Sequence, residues 1–79
     1  MTAAVTRSAS AHTLKVGDAV LAVRAAPSFG LHRATVVDVT VPATIHHGSP
    51  SVTVRFDDNS EQSYHGAAIR DYILEERAA

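Results

Sequence analysis

Apolar residues along this chain fall into short runs separated by turn-forming residues. The clearest run is Ser51–Phe56, in which Val52, Val54 and Phe56 alternate with polar residues. Because successive side chains of a β-strand point to opposite faces of a sheet, this alternation predicts a strand with one buried face. On alternation alone, Phe56 is the last residue of that buried face.

Two earlier segments also have strand character. Ala19–Arg24 is short, apolar and rich in Val, and 31–41 is the longest candidate. The second strand is expected to end near Pro42, which cannot donate a ladder hydrogen bond. The alternation within it slips at Val37 and Asp38, which predicts a β-bulge or a strong bend of the kind that lets a small sheet curl.

The segment after Ser51–Phe56 has the composition of a turn. Residues 57–60 are Asp-Asp-Asn-Ser, and Asp and Asn tolerate left-handed backbone and form Asx turns. Glu61–His65 is therefore expected to return antiparallel as a hairpin partner. Beyond it, helical spacing predicts one turn of helix over 66–70, while 71–74 fits either a last strand or more helix.

These elements make one domain with two flanking segments. The predicted fold class is all-β: a small barrel of four to five antiparallel strands over 14–75, with a short C-terminal helical turn. Residues 1–13 have no apolar periodicity and no acidic side chain, so they are predicted to be a disordered N-terminal tail. Residues 76–79 are predicted to be a frayed C-terminus.

Charge and composition narrow the class of function. The 79 residues carry a formal net charge of −1, with seven Lys and Arg scattered along the chain, which argues against a dominant electrostatic grip on nucleic acid. There is no Cys, and hence no disulfide and no thiolate metal ligand. No run approaches the roughly 20 apolar residues of a membrane span, so no membrane partner is expected.

The sequence contains no pattern that predicts catalysis. The four glycines are isolated, which excludes a Gly-rich phosphate loop, and the serines lack the context of a nucleophile elbow. His46 and His47 are adjacent without a neighbouring cluster of Cys or carboxylates, so they are interpreted as solvated loop residues rather than metal ligands. We expect a protein that is not an enzyme and that uses no cofactor.

Three segments, followed by Ile69, carry a pattern of short motifs: 16–22 (VGDAVLA), 31–36 (LHRATV) and 54–60 (VRFDDNS). Together they resemble the Tudor family, and the single Tudor domain of Polycomb-like chromatin proteins most of all. The resemblance covers about Leu14 to Leu74. It implies an SH3-like barrel that binds a protein or peptide, with a histone tail carrying methylated Lys or Arg as the candidate ligand. It also implies an intracellular protein, in the nucleus rather than the cytoplasm.

The resemblance further implies which residues form the site. Tudor-type cages hold a methylated cation against aromatic faces, through cation–π attraction, beside an acidic side chain. Phe56 falls on a cage position, Asp58 on the neighbouring acidic position, and His32 where a second aromatic residue is expected. The cage is incomplete, and Phe29 and Tyr64 are the candidates to supply a missing ring. The predicted ligand-binding rim is thus Phe29, His32, Phe56, Asp58 and Tyr64.

Two alternatives to a peptide-binding module remain. A nucleic-acid-binding barrel would need a local basic patch, for which Arg24, Arg33 and Arg55 are candidates if they share a face. A structural or oligomerising module could instead add Glu61–His65, as an exposed edge strand, to a partner sheet. From the residue pattern alone, Asp58 is part of a solvent-exposed hairpin turn.

Overall fold

The fold is an antiparallel β-sheet that curls around a single core. The computed structural model describes residues 4–25, 29–42 and 48–78. Six strands and one short helix lie in this part of the chain. In chain order they are β1 (Ala4–Ser8), β2 (Ala19–Arg24), β3 (Gly30–Thr40), β4 (Ser51–Phe56), β5 (Glu61–His65), α1 (Ala67–Tyr72) and β6 (Ile73–Ala78).

The order of the strands makes the sheet barrel-like. Strands β2 to β5 form a continuous meander, and β6 returns to pair with β2, which gives the order β1-β6-β2-β3-β4-β5. Helix α1 contacts both β1 and β5, the two end strands of that order. The predicted class, a small all-β barrel with a short helix near its C-terminus, is confirmed. The sheet has one strand more than the four to five expected.

Pairing between the strands places the alternating apolar residues on one inner surface. The largest fully buried side chains come from β2, β3, β4 and β6. Burial of a Val or Ile side chain stabilises the fold by about 1.5–3 kcal/mol relative to leaving it exposed. These side chains are Val20, Val36, Val52, Val54 and Ile73.

A β-bulge lies in β3 at the position that the sequence predicted. Val36 pairs with Val54, but the next pair is Asp38 with Thr53, so the register shifts across Val37. The extra residue returns Val39 to the buried side, where it packs against the core. The bulge therefore reconciles an irregular apolar pattern with a single buried face.

The hairpin between β4 and β5 is also formed as predicted. The backbone N–H of Asn59 donates to the carbonyl of Phe56 at 2.9 Å, and that of Phe56 donates to the carbonyl of Ser60 at 2.8 Å. Asn59 has a φ of 69°, which is left-handed backbone that Asn accepts more readily than most residues.

The prediction of a disordered tail over 1–13 was wrong for the residues that the structure describes. Strand β1 pairs antiparallel with β6, placing Ser8 opposite Leu74. Just beyond the strand, Ala9 and Ala11 are buried in the core. Small alanine side chains give no strong periodic signal in the sequence, yet Ala9 and Ala11 fit into the core at the end of the barrel. The backbone of β1 is satisfied by its pairing with β6.

The C-terminus also differs from the prediction. Residues 71 and 72 belong to α1, and β6 begins at Ile73, whose φ of −121° and ψ of 131° are extended. Strand β6 continues to Ala78, so the frayed segment predicted over 76–79 is instead strand as far as the structure describes it. Pairing with both β1 and β2 holds β6 in place. No helix in the described ranges is long and apolar enough to cross a membrane.

Candidate functional site

The last residue of β2 lies against the last residue of β4. The guanidinium carbon of Arg24 is 4.6 Å from the centre of the Phe56 ring. Phe56 is 3% exposed, and the Arg24 side chain is 13% exposed. A cation over an aromatic face at this distance is stabilised by the ring's quadrupole, and more so where water is largely excluded.

The same guanidinium is fixed by the β4–β5 turn. Arg24 Nη2 donates to Asp58 Oδ2 at 2.6 Å and to Ser60 Oγ at 2.7 Å. The Ser60 backbone N–H and hydroxyl both donate to Asp58 Oδ1, at 3.0 and 2.6 Å. The hydrogen bond from Arg24, followed by those from Ser60, holds the pKa of the Asp58 carboxyl well below its usual range.

A second ring completes this group. The His32 imidazole stands edge-on to Phe56, with ring centroids 6.4 Å apart and planes at 90°. Arg24, His32, Phe56, Asp58 and Ser60 together are called the Arg24 cluster here. The cluster has the aromatic face and the carboxylate that a methylated cation would require, and the chain's own Arg24 supplies the cation.

A separate groove opens beside β5. Its volume is about 420 Å³. Aromatic and small apolar side chains dominate its walls. The principal ones are Val23, Phe29, Tyr64, Ala68 and Tyr72, with His65 at one side. It is called the aromatic groove below.

Two aromatic side chains of this groove face solvent. Phe29 is 80% exposed and Tyr72 is 48% exposed. Phe29 lies immediately before β3, and Tyr72 is the last residue of α1. Helix α1 thus places Tyr72 in the same groove as Phe29. Exposed aromatic rings that line a common concave surface are characteristic of interaction sites.

Tyr64 connects the groove to the core. It is only 4% exposed, and its hydroxyl donates to the carbonyl of Val23 at 2.6 Å. This bond ties β5 to the end of β2, one residue before Arg24. Burial raises the pKa of the Tyr64 hydroxyl, and the nearby charge of Arg24 partly opposes that shift.

The hydrogen bonds of the β4–β5 ladder fall on even-numbered residues. At one end the Phe56 N–H donates to Ser60, and at the other the Gly66 N–H donates to Pro50 at 2.9 Å. The ladder between these two pairs keeps a constant register. Because hydrogen-bonded and non-bonded pairs alternate in an antiparallel ladder, the even-numbered residues of β5 are the ones bonded to β4.

The odd-numbered residues of β5 therefore direct their backbone groups away from β4. These residues are Glu61, Ser63 and His65. In the sheet that the structure describes, β5 is an end strand with β4 as its partner, so this side is an edge without a paired strand, and α1 contacts β5 beside it. Ser63 and His65 also line the aromatic groove, which places the groove directly along the edge.

The predicted rim residues separate into two features. His32, Phe56 and Asp58 belong to the Arg24 cluster, and Phe29 and Tyr64 line the aromatic groove. The contact of Arg24 with Phe56 and Asp58 was missed, because Arg24 was considered only as part of a basic patch. The place of Tyr72 in the groove was missed as well.

The basic residues suggested for a nucleic-acid face do not form one patch. Arg24 is turned toward Phe56 and Asp58, and Arg55 is paired with Glu61 at 2.6 Å. Arg33 and Arg55 project from the opposite, exposed side of β3 and β4. His46 and His47 lie outside the described residues. Within the described ranges, no group of three or more His, Cys, Asp or Glu could hold a metal ion.

Comparison of the chain with protein-family models, with curated proteins and with solved structures finds no match. The site is therefore interpreted from its own geometry.

Proposed function

We propose that this protein is a non-catalytic binding module that recognises a protein or peptide partner through the aromatic groove and the open edge of β5. The observation that carries the proposal is the exposure of Phe29 and Tyr72, at 80% and 48%, along one groove. An extended segment laid beside β5 would meet backbone donors and acceptors on one side and aromatic faces on the other.

The free energy available from covering the exposed rings favours this surface as a docking site. Fully burying a Phe side chain contributes about 1.5–3 kcal/mol, so covering Phe29 contributes at most about that much before the costs of association. The small side chain of Ala68 and that of Val23 form part of the groove wall, beside the edge of β5 along which an extended chain could be laid.

The proposal does not require a methylated ligand. The face of Phe56 and the carboxylate of Asp58 are engaged by Arg24 within the same chain. A methylated Lys or Arg would first have to displace that guanidinium. Recognition in the aromatic groove leaves the Arg24 cluster intact as a structural element.

The test is selection of peptides from a random displayed library on the purified protein, followed by affinity measurement of synthetic peptides. Phe29→Ala and Tyr72→Ala should each weaken a selected peptide by tenfold or more. Leu31→Ala is the matched control, because Leu31 is also exposed, at 50%, but lies outside the groove walls described above. Selected peptides that bind Phe29→Ala and Tyr72→Ala as tightly as the wild type would contradict the proposal.

A further inference from the structure

Strand β5 is short and polar, and among the described strands only β4 pairs with it. It contains no Pro and no bulge, two of the devices that block edge pairing, although its short length and its contact with α1 limit the edge that is available. Its outward backbone groups belong to Glu61, Ser63 and His65. An edge with this pattern accepts an antiparallel strand whose own outward residues have the same spacing.

The sequence of β5 is complementary to itself. If a two-fold axis passes beside Ser63, the Ser63 residues of two copies face each other, and Glu61 of each copy faces His65 of the other. All outward backbone groups of both strands are then used. Any other register leaves some of these backbone groups unpaired. A register with the two-fold axis beside Glu61 would also set the Glu61 carboxylates of the two copies opposite each other.

From this complementarity we infer that the partner for the groove and edge is a second copy of this chain, paired β5 to β5 about a two-fold axis. This inference rests on the proposed function, since it names the occupant of the same site. It makes the interface isologous, as in most two-fold dimers. Glu61 accepts hydrogen bonds of 3.0 and 2.6 Å from Arg55 of its own chain through Oε2, and its carboxylate would also meet the imidazole of His65 of the second copy on both sides of the axis.

The aromatic groove supports this pairing. Ser63 and His65 lie on the edge and in the groove wall together with Phe29 and Tyr72. A strand docked on β5 would lie beside those two rings. Apolar contact with them would add to a ladder that is otherwise held by backbone hydrogen bonds alone.

The first test compares two substitutions at the axis by sedimentation equilibrium. Ser63→Pro removes an N–H that points away from β4, so it blocks pairing while the backbone ladder with β4 is kept. It also removes the side-chain hydrogen bond of 2.7 Å between Ser63 Oγ and Thr53 Oγ1. Ser63→Ala loses the same side-chain bond but keeps the N–H, and is the matched control. We expect a dimer for the wild type and for Ser63→Ala, and a folded monomer, verified by circular dichroism, for Ser63→Pro.

The second test exchanges the charges. Glu61→Lys sets Lys opposite His65, and His65→Glu sets Glu opposite Glu61, so each single variant should weaken the dimer about tenfold. Glu61→Lys also removes the ion pair of 2.6 Å with Arg55 of the same chain, so circular dichroism is used to verify that each variant is folded. The double variant Glu61→Lys/His65→Glu restores opposite charges and should recover most of that loss. An effect limited to folding would show no such recovery.

A wild type that is monomeric up to about 1 mM would overturn the dimer. So would a Ser63→Pro dimer of unchanged affinity, or a double variant no better than the single ones. None of these results touches the proposed function, which is decided separately by the effect of Phe29→Ala and Tyr72→Ala on selected peptides. Conversely, a β5 dimer with no peptide binding would leave this inference standing and remove only the heterologous partner.

Discussion

Arg24 lies over the ring of Phe56, with its guanidinium carbon 4.6 Å from the ring centre. The neighbouring carboxylate is engaged as well, since Asp58 accepts a hydrogen bond of 2.6 Å from the same guanidinium. The face of Phe56 and the carboxylate of Asp58 are thus both engaged by Arg24 of the same chain. This arrangement separates the stabilising role of these residues from the binding role that we propose for the aromatic groove.

Replacing Arg24 with Ala is expected to lower the free energy of unfolding by about 1–2 kcal/mol. The loss combines a partly desolvated cation–π contact with an ion pair to a half-exposed carboxylate. Urea unfolding monitored by circular dichroism measures the change. Arg70→Ala is the control, because Arg70 is exposed and contacts only the adjacent Asp71 at 3.4 Å among the pairs described, so its effect should stay below about 0.5 kcal/mol.

Arg24→Ala also tests whether Arg24 prevents a methylated ligand from reaching the face of Phe56. In Arg24→Ala, Asp58 is still held by Ser60, and the face of Phe56 is uncovered. A peptide with trimethylated Lys should therefore shift the NMR signals of Phe56 and His32 in the variant and leave them unchanged in the wild type. Equal shifts in both proteins would mean that Arg24 does not exclude the ligand.

The lowered pKa of Asp58 predicts how the stability of the protein changes at acidic pH. Its folded-state pKa lies below its unfolded value of about 3.9, so its contribution to stability is present above pH 4 and is lost as the pH falls through the folded-state pKa. Asp58→Asn cannot ionise and lacks this contribution. The difference in unfolding free energy between wild type and variant should shrink as the pH falls from 6 to about 2.5. A difference that stays constant over this range would contradict the assignment.

Much of the sheet could be predicted because its strands carry their own pattern. Val52, Val54 and Phe56 alternate with polar residues, and all three are buried. Even the slip at Val37 was informative, because a bulge is the only way to keep Val36 and Val39 on one side. Strand β1 had no such signal, since its pairing depends on β6, a distant segment whose edge it covers.

The candidate site was less predictable than the fold. Phe56 and Asp58 were identified from the sequence. The alternation of residues cannot show that Arg24, at the end of β2, contacts them, because this contact depends on how the sheet curls. The groove depends on a turn of helix that sets Tyr72 near Phe29. Both features arise from tertiary packing rather than from local pattern.

Tyr64→Phe tests the bond between β5 and β2. Loss of the hydroxyl leaves the carbonyl of Val23 without that donor and should destabilise the protein by about 1–2 kcal/mol at neutral pH. Because burial raises the folded-state pKa of Tyr64, the stability that its neutral hydroxyl contributes is lost as the pH rises above about 10. The gap between wild type and variant should therefore narrow in alkali, in urea unfolding at pH 7, 9 and 11.

Removal of residues 1–8 distinguishes a paired strand from a dispensable tail. The deletion takes away β1 and with it the ladder on the outer side of β6, including the pair of Ser8 with Leu74. With a net gain of about 0.5–1.5 kcal/mol for each ladder bond, the loss should be at least about 2 kcal/mol, or roughly 10 °C in the thermal midpoint. A chain that begins at Ala4 keeps β1 and serves as the control. Equal midpoints for the two truncated chains would show that β1 adds nothing to stability, and that the N-terminal segment behaves as its composition first suggested.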